Sequence, residues 1–491
     1  FGKLIPGKFG HTGFSLTYII EGMFLSGYGV WGSTMGIATG SIMVFIMFGV
    51  VFKNTGAGDF LFDFVNKIAG RSKGGVAKIA ITASAMFGMV SGGALANVTT
   101  TGAMTIPAMK KGGYDGEYAA CIESCASAGG ILMPPIMGAV AFLMSEVVGI
   151  QYGELIRRAF IPALIYFAAL YFAVDFRARR RNINGMMERS PEKFGKLLLR
   201  GYNFFIPLAY LITRLVTGGI VARVGLETIV VMLVLGLFGR PRKVSLRMAV
   251  ESMRTSIDRG IMVVSTLATC GILVGVIDIT GLTSKFTTYL MKIANISVPL
   301  TLIVLMILTL VLGLAMNISS SYLIAAVLGA PVLIGLGFEP LGVHMFILYY
   351  AAMATITPPV AITSFAAASI AEVPPMRVGF KSMKVGLVAY ILPFAFIYSP
   401  AILLYGRIHE IILAVLAAFA GTGLVAMGLE GWFFGRKPNI FIRAGLVLAG
   451  ILLVVGRPVP AITAGIIIAS ISLFYLLTKY IRKGELVNEK D

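Results

Sequence analysis

Apolar runs recur along nearly the whole of this chain, at 30–52, 79–90, 159–174, 201–216, 260–277, 298–316, 382–405, 409–430, 441–455 and 461–478. Several approach the roughly 20 residues with which a helix crosses a bilayer. In hydrocarbon every backbone N–H and C=O must find a partner within the protein, so only helices or a closed barrel can span it. The alternation of barrel strands is absent, and the runs therefore read as helices. Composition agrees: 57% of the 491 residues are hydrophobic and 13% charged, against roughly 25% charged in a soluble protein. The fold class expected is an all-α polytopic membrane protein.

Two of the apolar regions are interrupted in the same way. "GGILMPPIMGAVAF" (129–142) carries Pro134 and Pro135, and "ATITPPVAITSF" (354–365) carries Pro358 and Pro359. A proline inside a helix removes a hydrogen bond and clashes with the preceding turn, at about 3 kcal/mol. The two pairs lie 224 residues apart, and at that offset Pro107 falls on Pro331 and Gly113-Tyr114-Asp115 on Gly337-Phe338-Glu339. Farther upstream, Thr55-Gly56 and Ile68-Ala69 match Thr280-Gly281 and Ile293-Ala294 at an offset of 225. The series reads as two homologous units, about 30–180 and 260–405.

Loop charges orient the units. The stretch 176–200 holds eight basic residues against two acidic, and 239–260 holds six against two, so both read as cytoplasmic loops. They are joined by two spans near 201–217 and 221–238, and the first unit exits to the cytoplasm after 159–175. Counting back from the basic C-terminal tail, through three spans and the turn at Arg436-Lys437, puts residue 407 outside. The units then have opposite topology, as in many secondary transporters. Arg157 and Arg158 fall on the outer side, against the rule.

Lys78 to Lys110 encloses about thirty residues between basic flanks, too few for two spans and too many for one. It reads as a re-entrant helical hairpin, with a counterpart near 297–336. The hairpin tips are polar: "MVSGGALANVTTTG" (89–102) and "LAMNISSSYL" (314–323), in which Asn97-Val-Thr-Thr-Thr echoes Asn317-Ile-Ser-Ser-Ser one helical turn out of register. Breaking a helix frees carbonyls that coordinate a cation and N-termini that favour an anion. Serine, threonine and asparagine add neutral oxygens suited to a hard cation such as sodium. Gly92, Gly93 and Ala94 are also what close helix packing selects, and a proline kink can be purely structural. Glu123 and Asp278 are acids near membrane depth, where charge is expensive. His344 reads as a packing or hydrogen-bonding residue. The stretches 58–70 and 282–295 are amphipathic and precede the two hairpins, as arms joining a moving unit to a fixed scaffold would.

The net charge of +19 sits in the loops, which excludes nucleic acid as the partner and leaves membrane lipid as the surroundings. Cys121, Cys125 and Cys270 lie in apolar segments without the further ligands of a metal site. Neither a Walker-type loop nor a hydrolase elbow is present, so no cofactor is expected beyond sodium as coupling ion.

At "SGGALANVTTTGAMTIPAMKKGGY", "CASAGGILMPPIMGAVAFLMSEVVGI" and "LYYAAMATITPPVAITSFAAASIAEVPPMRVGFKSMKVGLVAYILPFAFIYSPAILL" the chain resembles the large membrane subunit of tripartite ATP-independent periplasmic (TRAP) transporters. It most resembles the fused permeases of the TAXI branch, over about residues 1–405. The resemblance implies a sodium-driven, elevator-type importer of organic acids in the cell inner membrane, not an enzyme, supplied by a periplasmic TAXI-type substrate-binding protein. It also implies a small membrane subunit or a fused N-terminal region. A stand-alone sodium/dicarboxylate symporter of similar fold is the alternative within transport, and an intramembrane enzyme the alternative outside it. The organisation expected is an N-terminal interfacial segment 1–29 remaining after a small-subunit-like region, repeat 1 at 30–182 and basic loops with two connecting helices at 183–259. Repeat 2 follows at 260–406 and a three-helix extension at 407–491.

The implied substrate and ion regions fall on Ser91, Gly92, Gly93, Asn97 and Thr100 at the first tip, and on Ser127, Gly129, Gly130 and Pro134 at the first break. In the second repeat they fall on Gly313, Met316, Asn317, Ser319 and Ser320, and on Thr355, Thr357 and Pro358. Sodium is expected at Ser91, Asn97, Gly129, Asn317 and Thr357. Two departures from the family pattern stand out. Ser91-Gly92-Gly93 replaces a usual Ser-Gly-Ser, and Gly313-Leu314-Ala315-Met316-Asn317 replaces a usual Gly-Met-Gly-Met-Pro.

Overall fold

The computed structural model of the chain describes residues 10–467 except 12, 27–28, 57–59, 61–62, 66, 68–71, 184–193, 238–243, 434, 457–462 and 464. Among the described residues the regular elements are helices, apart from one isolated bridge between Phe433 and Arg436. Among the described residues six helices are long and apolar enough to cross a membrane: Thr34–Asn54, Tyr152–Arg181, Leu246–Ile279, Val298–Ala315, Ile318–Gly335 and Ile408–Glu430. A seventh span is made if Pro375–Val385 and Leu387–Tyr398, bent by 41°, count as one.

Each expected hairpin is a pair of packed helices. Hairpin 1 joins Gly75–Ser91 to Ala94–Lys111 through Gly92 and Gly93 alone. Gly92 takes φ +68°, where a side chain would be strained, and its N–H bonds back to Gly88 O at 3.2 Å to close the first helix. Hairpin 2 joins Val298–Ala315 to Ile318–Gly335 through Met316 and Asn317, both extended. Here the side chain does the capping: Asn317 Oδ1 accepts from Ser320 N at 3.0 Å. The second arms, 94–111 and 318–335, are offset by 224 at both ends. Asn317 therefore occupies the place of Gly93, while Asn97 lies a turn inside its helix. That is why the two Asn-led tips are one turn out of register.

The breaks follow each hairpin. Gly116–Gly130, capped by Asp115 Oδ1 accepting from Tyr118 N at 2.9 Å, is separated from Ala139–Val148 by the Pro134-Pro135 turn. Pro340–Met353 is separated from Ile362–Ala371 by a 3-10 turn and Pro358-Pro359. Both Pro-Pro bonds are cis. The exit helix of the first half, Tyr152–Arg181, then runs for 30 residues. Near its start Arg158 pairs with Glu154 at 2.8 Å, donates to Leu403 O at 3.1 Å and lies 3.6 Å over the Tyr405 ring. Near its end Arg177 pairs with Asp115 at 2.8 Å and with Glu430 at 3.3 Å. The chain thus leaves the first half and the second half at opposite ends of this helix. An arginine that the loop-charge rule did not expect is consumed by local partners.

Val221–Leu237 and Leu246–Ile279 each pack on Thr34–Asn54, and Tyr202–Val216 bridges from Val221–Leu237 to the first exit helix. The basic stretch 239–260 is not a loop throughout. Helix begins at Leu246, behind a Ser245 cap, because Ser252, Ser256 and Gly260 form a small buried stripe at four-residue spacing while Glu251, Arg254, Asp258 and Arg259 face outward. The second arm stretch is the helix Leu282–Ile296; most of 58–70 lies outside the described residues, as do the segment 1–9, the loop 184–193 and most of the third C-terminal run. The other two C-terminal runs are Ile408–Glu430 and Ile440–Val455, docked on both exit helices.

Candidate functional site

At the first joint, hairpin 1 closes on the first broken helix through backbone contact. A Cβ on Gly130 would stand 2.7 Å from Gly88 Cα, and one on Gly138 (φ +72°) 2.8 Å from Gly92 O. Only glycine lets these chains approach so closely. Asn97 is fully buried beside this contact; its Nδ2 donates to Ser84 O at 2.8 Å, and its Oδ1 accepts from Thr101 at 3.2 Å. Ser91 Oγ, at the tip, is buried and has no hydrogen-bond partner. Thr100 bonds back to Ala96 O at 2.9 Å. Gly129 faces the other way, its missing Cβ leaving room for the Tyr166 ring. The carbonyls of Gly129 and Gly130 accept from Leu132 N and Met133 N at 2.9 and 3.2 Å as the helix unwinds toward Pro134.

Behind the tip, Glu123 gathers hydroxyls from both arms of the hairpin and from its own helix. Ser84 and Thr101 reach its Oε1 at 2.5 Å each, Thr105 its Oε2 at 2.6 Å, and Ser127 its Oε1 at 3.3 Å. The sequence had marked Glu123 and Ser127 but not their partners. The signal available was Thr101 and Thr105, one turn apart on the same helix face. Asp278 is different: it is exposed at a helix end, with Thr283 3.5 Å away. His344 is buried against Tyr322, Nδ1 to OH 2.8 Å.

The second joint is built of hydroxyls and apolar contact. A Cβ on Gly313 would collide with Ala354 Cβ, so hairpin 2 rests on the second break at this residue. Thr355 bonds to Ala352 O at 2.8 Å. Thr357 bonds to Met353 O at 2.7 Å and lies 2.6 Å from Tyr390 OH, beside the half-buried Pro358. Met316 and Ser319 are half-buried, Ser320 buried and Asn317 exposed. Ala315, Met316, Asn317 and Ser320 form one wall of a cavity of about 390 Å³ whose other wall is Ser265, Thr266, Thr269, Cys270 and Leu273 of the Leu246–Ile279 helix. Sequence reading missed that second wall. Its trace was a trio of hydroxyls at 265, 266 and 269, one face of a helix in an apolar span.

The halves interlock. The second arm of hairpin 1 packs on Ile362–Ala371 of the second broken helix, and the second arm of hairpin 2 on Ala139–Val148 of the first. Residues of both joints belong to one buried core. Among the described residues no group of three or more His, Cys, Asp or Glu could hold a metal ion.

With two helical hairpins set against two broken helices, the chain matches over residues 12–411 the family model of the tripartite ATP-independent periplasmic transporter, DctM component. It belongs to this family. Among relatives of this DctM-family chain, the isethionate TRAP transporter permease protein DctMQ of Oleidesulfovibrio alaskensis is 23% identical over 339 residues, 68% of this chain and 52% of that protein. The large permease protein DctM of the C4-dicarboxylate TRAP transporter of Pseudomonas aeruginosa is 22% identical over 334 residues, 68% of this chain and 78% of that one. The sialic acid TRAP transporter permease protein SiaT of Haemophilus influenzae matches over 141 residues at 26%, covering 29% of this chain and 22% of its own. The chain thus spans about half the length of the isethionate permease. DctM components are transporter permeases and not enzymes, and the family together with the apolar helices makes this a multi-pass protein of the inner membrane.

Proposed function

We propose that this chain is the permease subunit of a secondary-active TRAP transporter that imports an organic acid with a sodium gradient. A periplasmic binding protein of the TAXI type supplies the acid, and a small membrane subunit or a fused N-terminal region completes the permease. The observation that carries the reading is that a hairpin tip closes on the interruption of a broken helix in both halves, at Gly92–Gly138 and at Gly313–Ala354. The named relatives transport isethionate, C4-dicarboxylates and sialic acid, all acids, which supports the substrate class.

The two halves are inverted repeats in this reading, and the hairpins with their broken helices move as one body. The helices Thr34–Asn54, Tyr202–Val216, Val221–Leu237 and Leu246–Ile279 form the scaffold. The cavity between hairpin 2 and Leu246–Ile279 lies on the boundary between these bodies, where an elevator must slide. Sodium coupling is supported by the unpartnered, buried Ser91 Oγ next to an unwound backbone, a neutral oxygen left free for a cation.

The test is uptake of candidate acids into proteoliposomes with candidate binding proteins, with and without a sodium gradient. Uptake that needs neither a binding protein nor sodium would overturn the reading. Replacing Ser91 by leucine should raise the sodium concentration for half-maximal uptake; an unchanged value would remove that residue from the site. A cysteine at Asn182 should be labelled from the cytoplasm only and one at Gly406 from the periplasm only, and labelling of both from one side would end the inverted-repeat reading. A thiol crosslinker joining cysteines at Thr269 and Asn317 should stop transport, whereas full-rate transport would favour a local gate.

A further inference from the structure

Glu123 is fully buried, and its hydrogen-bond partners are hydroxyls alone. The lysines nearest in sequence to this network or on the helix packed across it are committed elsewhere, and Lys111 and Lys384 are exposed. Lys78 pairs with Asp175 at 2.6 Å, Lys110 donates to Ala371 O at 3.1 Å, and Lys381 pairs with Glu117. On the same helix Cys125 donates to Ser382 O and Cys121 is a free buried thiol, and from the first exit helix Tyr166 donates to Cys125 O. A carboxylate in such surroundings has no counter-charge, and a buried charge without one either collects strong donors or is neutralised.

The surrounding hydroxyls can serve both states. With Glu123 ionised, all four O–H groups point at the carboxylate. With Glu123 protonated, its Oε2–H donates to Thr105 Oγ1, and the threonine's own hydrogen turns to Thr101 O, 3.0 Å away. Thr101 has the same choice, with Asn97 O at 2.9 Å. Ser84 Oγ and Thr101 Oγ1, 3.0 Å apart, can exchange direction. Uptake of one proton therefore leaves no donor unpaired and needs only hydroxyl rotations. A metal ion fits poorly, because the hydroxyls already stand at bonding distance and Glu123 Cγ lies 3.2 Å from where a Cβ on Gly102 would be.

The network also crosses a joint. Ser84, Thr101 and Thr105 belong to the two arms of hairpin 1, and Glu123 and Ser127 to the first broken helix. We propose that Glu123 is a proton-binding site at this joint, gaining and losing one proton as the hairpin and broken helix are fastened and freed. The role of the joint in transport rests on the proposed function; the binding of the proton does not.

The test is infrared difference spectroscopy of the purified full chain in lipid bilayers, stepped through pH without substrate, binding protein or sodium. It is therefore indifferent to whether the transport reading holds. The wild type should gain a protonated-carboxyl C=O band as pH falls, and Glu123→Gln should lose one such band while the helix content by circular dichroism stays the same. Thr105→Val should keep the band but move its midpoint to higher pH, since one donor to the ionised form is gone. If Glu123→Gln folds and its spectrum superimposes on the wild type, the proposal is wrong. If Glu123→Gln does not fold, an unmoved midpoint in Thr105→Val overturns it instead.

Discussion

The second arms of hairpin 1 and hairpin 2 share helix bounds at a constant offset, yet different forces hold the two hairpins. Hairpin 1 is buried on most of its first arm, touches its broken helix through glycine backbones and is tied to it by the Glu123 hydroxyls. The first arm of hairpin 2 turns Leu300, Ile303, Ile307 and Val311 outward in a helical stripe, and its tip borders an open cavity. At the offset of 224, Glu123 becomes Ile347, Ser84 becomes Leu308, Thr101 becomes Ala325, Thr105 becomes Gly329 and Ser127 becomes Ala351. The helix–turn–helix and broken-helix pattern recurs in both halves, and these side chains do not. The first joint is fastened by a polar network in a dry core, where each bond is costly to leave unmade. The second is fastened by apolar contact next to space, which makes it the easier of the two to open.

That contrast breaks most readily at the glycines. Gly130→Ala places a methyl 2.7 Å from Gly88 Cα and 3.1 Å from Ser84 O, both backbone atoms that must shift. Overpacking of this kind costs about 1–3 kcal/mol. In hairpin 2, Gly335→Ala meets nothing within 4 Å. Thermal unfolding in detergent should show a clear drop for the first and none for the second. Equal effects would mean that the Gly130 contact at the first joint is no tighter than the open far end of hairpin 2.

The two asparagines sharpen the comparison. Asn97→Ala removes both hydrogen bonds of a buried amide, the one it gives to Ser84 O and the one it accepts from Thr101, at about 1–3 kcal/mol. Asn317→Ala removes only an exposed N-cap, at about 1 kcal/mol. The larger loss of thermal stability should fall on Asn97; equal losses would show that the tips are equivalent despite their register, and the reverse order that the exposed cap matters more than the buried amide.

Much of this was legible in the chain. The offset of the Pro-Pro pairs, the short distance from Lys78 to Lys110 and the polar tips located both hairpins and both breaks, because proline and glycine act locally. The echo of Asn97 in Asn317 was legible as letters but not as roles. Which residue caps a helix depends on where its first turn begins, and that is decided by Gly92-Gly93 in one half and by Asn317 itself in the other. The partners of Glu123 come from two other helices, and the cavity wall at Ser265, Thr266 and Thr269 comes from a helix outside the motif-bearing segments. Contacts of that kind depend on packing between distant segments, which a local pattern does not carry.

The smallest effect is expected at the rim, where the halves also differ. The second exit segment lends its cations to the start of the first broken helix: Lys381 bonds to Glu117, and Arg377 reaches it at 3.4 Å. At the matching place in the second half stands Leu341, so the second broken helix has no such clamp there. The Lys381 hydrogen bond, more than the opposing cost of desolvation, holds the Glu117 carboxyl below its ordinary value. A lowered carboxyl favours the folded form when ionised, so the contribution is fully present above the ordinary glutamate range and is lost as pH falls through the lowered value. The lysine and arginine are 38% and 71% exposed, so solvent screens the pair and its worth is about 0.2–1 kcal/mol. Glu117→Gln should therefore lower the unfolding midpoint slightly at neutral pH and by less in acid, with the difference shrinking further in high salt. A loss as large as that of Gly130→Ala would move the main fastening of the first half from its buried joint to its rim.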